Sequence, residues 1–269
     1  MKTLIYQYWD GPQRSGNVTG VNEMENYAKR IGASSLYELN AGFRKDLGSY
    51  SPNYGKFTPV YDDRFAEYDY VMYADCDVVP VKDCDENIFE YFANTGAEVG
   101  ICEEYNAPYT RKNHTIGGGI NNENDERWVN IIEKKWPVVM PRTDDGLPKV
   151  FNTGVLVFSQ AGLRKARERF FDFAKYVNLM KVFNFPPFYT CDQPYMHAML
   201  EVCNFNWVTM PYKWNSSVHY DPSVKTHPRP VIDLRDNPNF VHIQLNGADN
   251  WERHKINRVV NLPVSEWDL

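Results

Sequence analysis

The stretch Tyr70-Val-Met-Tyr-Ala-Asp75-Cys76-Asp77-Val-Val-Pro80 constrains this chain most, because an apolar run passes directly into two carboxylates one residue apart. Aromatic and aliphatic residues in such a run read as a buried strand. In extended backbone Asp75 and Asp77 project to the same face, so where the strand ends their oxygens can converge on a hard divalent cation. The pattern points to metal-bridged diphosphate chemistry, with an acidic turn capping a sheet as the bland alternative.

Upstream, residues 3–9 read as a strand, and Met24, Tyr27, Ala28 and Ile31 recur at helical spacing. A short strand at 35–39 and a helix at 55–66 precede the strand at 69–74 that feeds Asp75. This alternation predicts an α/β protein with a largely parallel sheet flanked by helices and ligands at the carboxyl ends of its strands. A helix near 86–94 and a strand at 97–102 follow, and then 104–150 lose periodicity around one helix at 125–135. Gly117-Gly118-Gly119 is no phosphate loop, since no Gly-Lys-Ser/Thr follows it. Phe151–Phe158 reads as a strand, and Leu163, Ala166, Phe170, Phe173, Ala174 and Val177 predict the core face of one helix. Another helix opens near Cys191-Asp192-Gln193 and buries Tyr195, Met196, Met199, Leu200 and Cys203; Phe240-Val-His242-Ile is a late strand. No repeat or low-complexity linker divides the chain, so a single domain over 1–269 is expected, with abutting halves at about 1–103 and 104–269.

A composition of 43% hydrophobic residues provides for a sizeable core, and a net charge of −6 lacks the basic face that nucleic acid or an anionic membrane requires. The opening Met1–Trp9 run is too short and too aromatic for a signal peptide, and no apolar run reaches the ~18 residues of a membrane span. A soluble cytoplasmic protein with reduced cysteines is the expectation.

Tyr54-Gly-Lys56-Phe57, Tyr73-Ala-Asp75-Cys-Asp77, Asn152-Thr-Gly154-Val-Leu-Val-Phe and Asp192-Gln193 occur in that order, followed by His242 and a later glycine. In order and spacing these elements resemble the nucleotide-sugar glycosyltransferases of the GT-A fold. The match is to the retaining branch, glycosyltransferase family eight, that includes glycogenin and bacterial lipopolysaccharide galactosyltransferases. The resemblance implies a Rossmann-like, mixed but mainly parallel sheet. It also implies metal-dependent transfer of a hexosyl unit from a UDP-linked sugar to a carbohydrate hydroxyl with retained configuration. On its terms Mn²⁺ or Mg²⁺ is held by Asp75, Asp77 and His242, with Asp75 also reaching the ribose. Tyr8, Trp9 and Asp10 meet the base, Lys56 lies near the donor sugar and phosphate, and Asn152 and Gly154 line the sugar pocket. Asp192 binds sugar hydroxyls, and Gln193 lies close to the anomeric carbon. The family's glycine and lysine after the histidine are displaced here to Gly247 and Lys255, which stand as phosphate contacts off the usual spacing.

Plainer roles exist for several of these residues: a solvated lysine for Lys56, a helix cap for Asp192, and core packing for Tyr8 or Trp9. Asp75-Cys-Asp77-Val-Val also fits the signature of haloacid-dehalogenase-type phosphohydrolases, although there the motif usually ends a domain's first strand. A non-catalytic carbohydrate-binding relative is the third alternative.

Overall fold

Thr3–Trp9 (β1) is an almost wholly buried run made mostly of apolar and aromatic residues, the composition favoured in strands covered on both faces. The computed structural model describes residues 1–43, 45–220, 230–232, 237–243 and 249–267. Ser15–Arg30 (α1) returns the chain so that Ser34–Leu39 (β2) pairs parallel to β1, Leu4 beside Ser34.

After the short Ser51–Tyr54 (α2), the single helix expected over 55–66 is instead a series of short turns, Gly55–Phe57, Thr58–Tyr61 (α3) and Asp63–Phe65. Pro59 opens α3 without an N–H to donate backward, and Asp62 starts another turn by accepting from the Arg64 N–H at 2.9 Å. The chain then enters Tyr70–Ala74 (β3), which runs parallel to β1, and after a tight turn Val78–Pro80 (β4).

Ile88–Ala93 (α4) and Val99–Glu103 (β5) follow, and the segment read as loops holds Ala107–Asn113 (α5) and Asn122–Lys135 (α6). Helix α6 starts earlier than its apolar positions suggested because the Asn121 side chain caps it, accepting from the Asn124 N–H at 2.9 Å. Phe151–Ser159 (β6) is central and antiparallel to both β3 and β5. Its N-terminal residues therefore lie at the carboxyl ends of the other strands.

The helix expected through Leu163 and Val177 is two helices, Gln160–Arg169 (α7) and Phe173–Val182 (α8). Phe170 is non-helical (ψ 127°) and the Asp172 carboxylate caps a fresh start by accepting from the Lys175 N–H. The break leaves Ala174 exposed rather than in the core. Asp192–Val202 (α9), Trp207–Met210 (β7), Ser216–Tyr220 (β8), Pro230–Ile232 (β9), Phe240–His242 (β10) and Asp249–Asn261 (α10) complete the elements.

The main sheet has the order β2-β1-β3-β6-β5-β7, parallel except for β6, and is mixed but mainly parallel as expected. One face carries an aromatic core around Tyr54, Phe57, Phe173 and Tyr195, and the other packs Met24, Tyr27, Met72, Phe92 and Trp214. A second sheet, β4-β10-β8-β9, stands at the carboxyl end of β3. Among the described residues no helix is long and apolar enough to cross a membrane, and all five cysteines are free thiols.

Candidate active site

Between β3 and β4 the chain turns through Asp75-Cys76-Asp77, closed by the Val78 N–H donating to the Asp75 carbonyl at 3.0 Å. Cys76 points inward, its thiol toward the Tyr8 carbonyl at 3.4 Å, while both carboxylates stay partly open. Helix α1 packs so tightly on this turn that a Cβ on Gly20 would meet the Cys76 carbonyl oxygen at 2.1 Å.

Antiparallel pairing of β10 with β4 sets His242 beside Val78, and the Ile243 N–H donates to the Asp77 carbonyl at 3.0 Å. That register carries the imidazole to the two carboxylates. His242 Nε2 lies 3.2 Å from Asp77 Oδ1 and 3.9 Å from Asp75 Oδ2, and one ligand atom from each residue falls within 4.8 Å of the others. Burial opposes a charge on His242, but Asp77, then Asp75 and Glu104, outweigh it and raise its pKa above the usual 6.5. Two carboxylates and an imidazole make a donor set that fits a divalent ion such as Mn²⁺.

Gly154 supports this arrangement from β6. A Cβ there would stand 2.5 Å from His242 Cε1, so the missing side chain makes room for the imidazole and not, as expected, for a substrate. Asn152, on the same strand face, accepts through Oδ1 from the Gly154 N–H at 2.7 Å and the Asn215 amide at 2.9 Å. Its own amide donates to Glu104 at 2.5 Å. Gly154→Ala is expected to retain the fold yet lower Mn²⁺ affinity by ~10-fold or more, the scale of disturbing a ligand's support. A metal titration giving wild-type affinity would contradict this.

Thr153, on the opposite face of β6, serves a second cluster. Lys56 is 7% exposed, far from a solvated lysine, and its ammonium lies 2.7 Å from Asp192 Oδ2 and 3.3 Å from Asp75 Oδ1. It also donates to the Thr153 carbonyl at 3.1 Å and stands 4.9 Å from the centroid of the Tyr73 ring. Burial disfavours the ammonium, but Asp192 and Asp75 overcome that and hold its pKa above the normal lysine range. The Thr153 hydroxyl donates to Asp192 Oδ2 at 2.5 Å, and the Tyr73 hydroxyl to Asp75 Oδ1 at 2.6 Å. Asp192 is the first residue of α9, one past the cap position at Cys191, and its carboxylate faces Lys56 and Thr153.

Both clusters open on one cavity of about 400 Å³, lined by Tyr8, Trp9, Asp10, Lys56, Asp75, Asn152, Asp192, Gln193 and His242 among others. Tyr8 is only 4% exposed and its ring fills the space a Cβ on Gly55 would occupy, so it forms a wall of the cavity. Lys255 is buried on α10 away from the cavity lining, and burial pushes its pKa down to about 8. Gly247 lies outside the described residues. Sequence reasoning left Thr153, Tyr73 and Glu104 without roles. Tyr73 carried a signal, since it precedes Asp75 by two residues and shares its strand face.

No protein-family model matches the chain, and no curated protein sequence matches it. Solved structures do. Mouse xyloside xylosyltransferase 1 is 13% identical with a TM-score of 0.56, over 92% of this chain and 99% of that one. A glycosyltransferase involved in glycosylation of the major capsid of PBCV-1 is also 13% identical, with a TM-score of 0.52 over 96% of this chain and 100% of that one. The galactosyltransferase LgtC, in complex with donor and acceptor sugar analogs, gives 13% identity and a TM-score of 0.52 over 97% and 98%. The chain therefore has the GT-A fold of these glycosyltransferases over nearly its whole length.

Proposed function

We infer that the protein is a metal-dependent glycosyltransferase that moves a hexosyl unit from a UDP-linked sugar to a saccharide hydroxyl with retention of configuration. The observation that carries this reading is that Asp75 and His242, grouped with Asp77, line a single cavity together with Lys56, Asp192 and Gln193 in a glycosyltransferase fold. The likeness to LgtC, captured with donor and acceptor sugar analogs, supports it.

In this reading Trp9 and Asp10 meet the base at the end of β1, backed by Tyr8, and Asp75 reaches the ribose. A cation held by Asp75, Asp77 and His242 supplies positive charge where the departing diphosphate becomes more negative. Lys56 adds a fixed ammonium beside the same phosphates. Asn152 lines the sugar pocket. Asp192, its carboxylate locked by Lys56 and Thr153, accepts from sugar hydroxyls. Gln193 stands near the anomeric carbon, and an amide there is a poor nucleophile. Retention then proceeds by same-face attack, with the leaving phosphate taking the acceptor proton.

The test is a panel of UDP-glucose, UDP-galactose, UDP-N-acetylglucosamine, UDP-xylose and GDP-mannose, each incubated with Mn²⁺ or EDTA and read for released nucleotide. Metal-dependent release from a UDP-sugar is the expected result. Inertness toward all of them, together with hydrolysis of a simple phosphate ester that Asp75→Asn abolishes, would replace this reading with a phosphohydrolase.

A further inference from the structure

Behind Gln193, which also lines the main cavity, lies a separate cleft whose walls come from α5, α6, β6 and α9. It holds about 20 Å³ for the centre of a water-sized group, enough for one such group. Two buried polar side chains line it with hydrogen-bonding capacity unused. His197, 4% exposed, sits with its ring centre 5.1 Å from that of Trp128 and 4.8 Å from that of Phe151, and its Nε2 has no hydrogen-bond partner. Arg111, 6% exposed, donates through Nη1 to Asp125 at 3.1 Å and lies 5.0 Å from the centroid of the Phe188 ring, yet its Nε–H has no partner.

The chemistry of the pair selects the occupant. Burial, reinforced by Arg111, pushes the His197 pKa down to about 3, so the imidazole is neutral at physiological pH. Asp125 compensates the charge on Arg111 and is itself tied by the Tyr189 hydroxyl at 2.7 Å. An anion would find no net positive charge, and a cation would meet a guanidinium. An unpartnered guanidinium N–H and a neutral imidazole nitrogen on side chains lining one cleft together complement a group that accepts one hydrogen bond and donates another, which is a hydroxyl. Leaving both nitrogens unmet carries the desolvation cost of each, which an occupant relieves.

We propose that this cleft reads one hydroxyl of the acceptor saccharide, inserted between Arg111 and His197 while the reacting oxygen stands in the main cavity beside Gln193. The assignment rests on the glycosyl-transfer reading. Arg111 also lines an open groove along α5 and α6 with Asn113, Asn121, Asn122 and Asn130, whose amides suit the hydroxyls of further sugar units. Sites built to pair a substrate hydroxyl reject analogues that lack it, because their own polar groups are then stranded.

The experiment uses protein loaded with UDP and Mn²⁺, labelled with ¹⁵N in histidine and arginine. It is titrated with the methyl glycosides of glucose, galactose, mannose, xylose and N-acetylglucosamine. The expected result is that at least one glycoside binds and moves the His197 imidazole and Arg111 Nε signals. Its affinity should fall at least ~10-fold in both His197→Phe and Arg111→Lys, the loss expected for a stranded polar partner, while UDP binding persists and certifies the fold. Binding that leaves both signals unmoved, or that both variants retain, would overturn the subsite. So would the absence of glycoside binding to protein that still takes up UDP, which leaves the nucleotide reading standing. Failure of UDP itself to bind with Mn²⁺ would overturn that reading and the subsite with it.

Discussion

Lys56→Met is expected to abolish glycosyl transfer and to lower folding stability by about 3 kcal/mol, the lower end of the cost of stranding buried charge. Methionine nearly preserves the volume and removes only the ammonium between Asp75 and Asp192, whose oxygens lie 3.3 and 2.7 Å from it. The cost stays at the lower end because Asp75 is partly solvated and Asp192 keeps the Thr153 hydroxyl. Urea unfolding of parent and variant at neutral pH reads the stability loss, and the nucleotide-sugar panel reads the loss of transfer. A variant as stable as the parent at neutral pH would show that Lys56 is not the bridge between the two halves of the site.

Asp77→Ala should remove metal-dependent nucleotide binding, lowering UDP affinity in Mn²⁺ by ~100-fold or more, since loss of a direct ligand exceeds the 10- to 100-fold cost of disturbing its support. The fold should survive, because the Ile243 N–H donates to the Asp77 backbone carbonyl, which alanine also provides. In the parent protein, a proton on His242 competes with the ion, and Asp77 and Asp75 favour that proton. Metal affinity should thus weaken as pH drops below neutral. Titration of Mn²⁺ by electron paramagnetic resonance would detect both, and full affinity in the variant would remove Asp77 from the ligand set.

Five strands of the main sheet and the Asp75–Asp77 turn were legible because each depends on a contiguous pattern, an apolar run and then carboxylates on one face, whereas the four-residue edge strand β7 was too short to show one. The position of His242 was legible only through resemblance. What brings it to Asp77 is the pairing of β4 with β10, strands too short to show periodicity and separated by most of the chain. The break between α7 and α8 was hidden because apolar spacing continued through it, while the cap at Asp172 decided the geometry. Gly154 was read as room for a substrate, but the atom that needs the space belongs to a histidine distant in sequence. The same distance concealed the Lys56–Thr153–Asp192 cluster and the pairing of Arg111 with His197 at one cleft. Local pattern carried the elements, and tertiary convergence carried the sites.

The most direct test of the central claim is calorimetric titration of UDP into the unaltered protein, once with Mn²⁺ and once with EDTA. Binding that requires the metal is the expected result, and it would tie a nucleoside diphosphate to Asp75, Asp77 and His242. Equal binding in EDTA, or none in either condition, would contradict a metal-bridged UDP site.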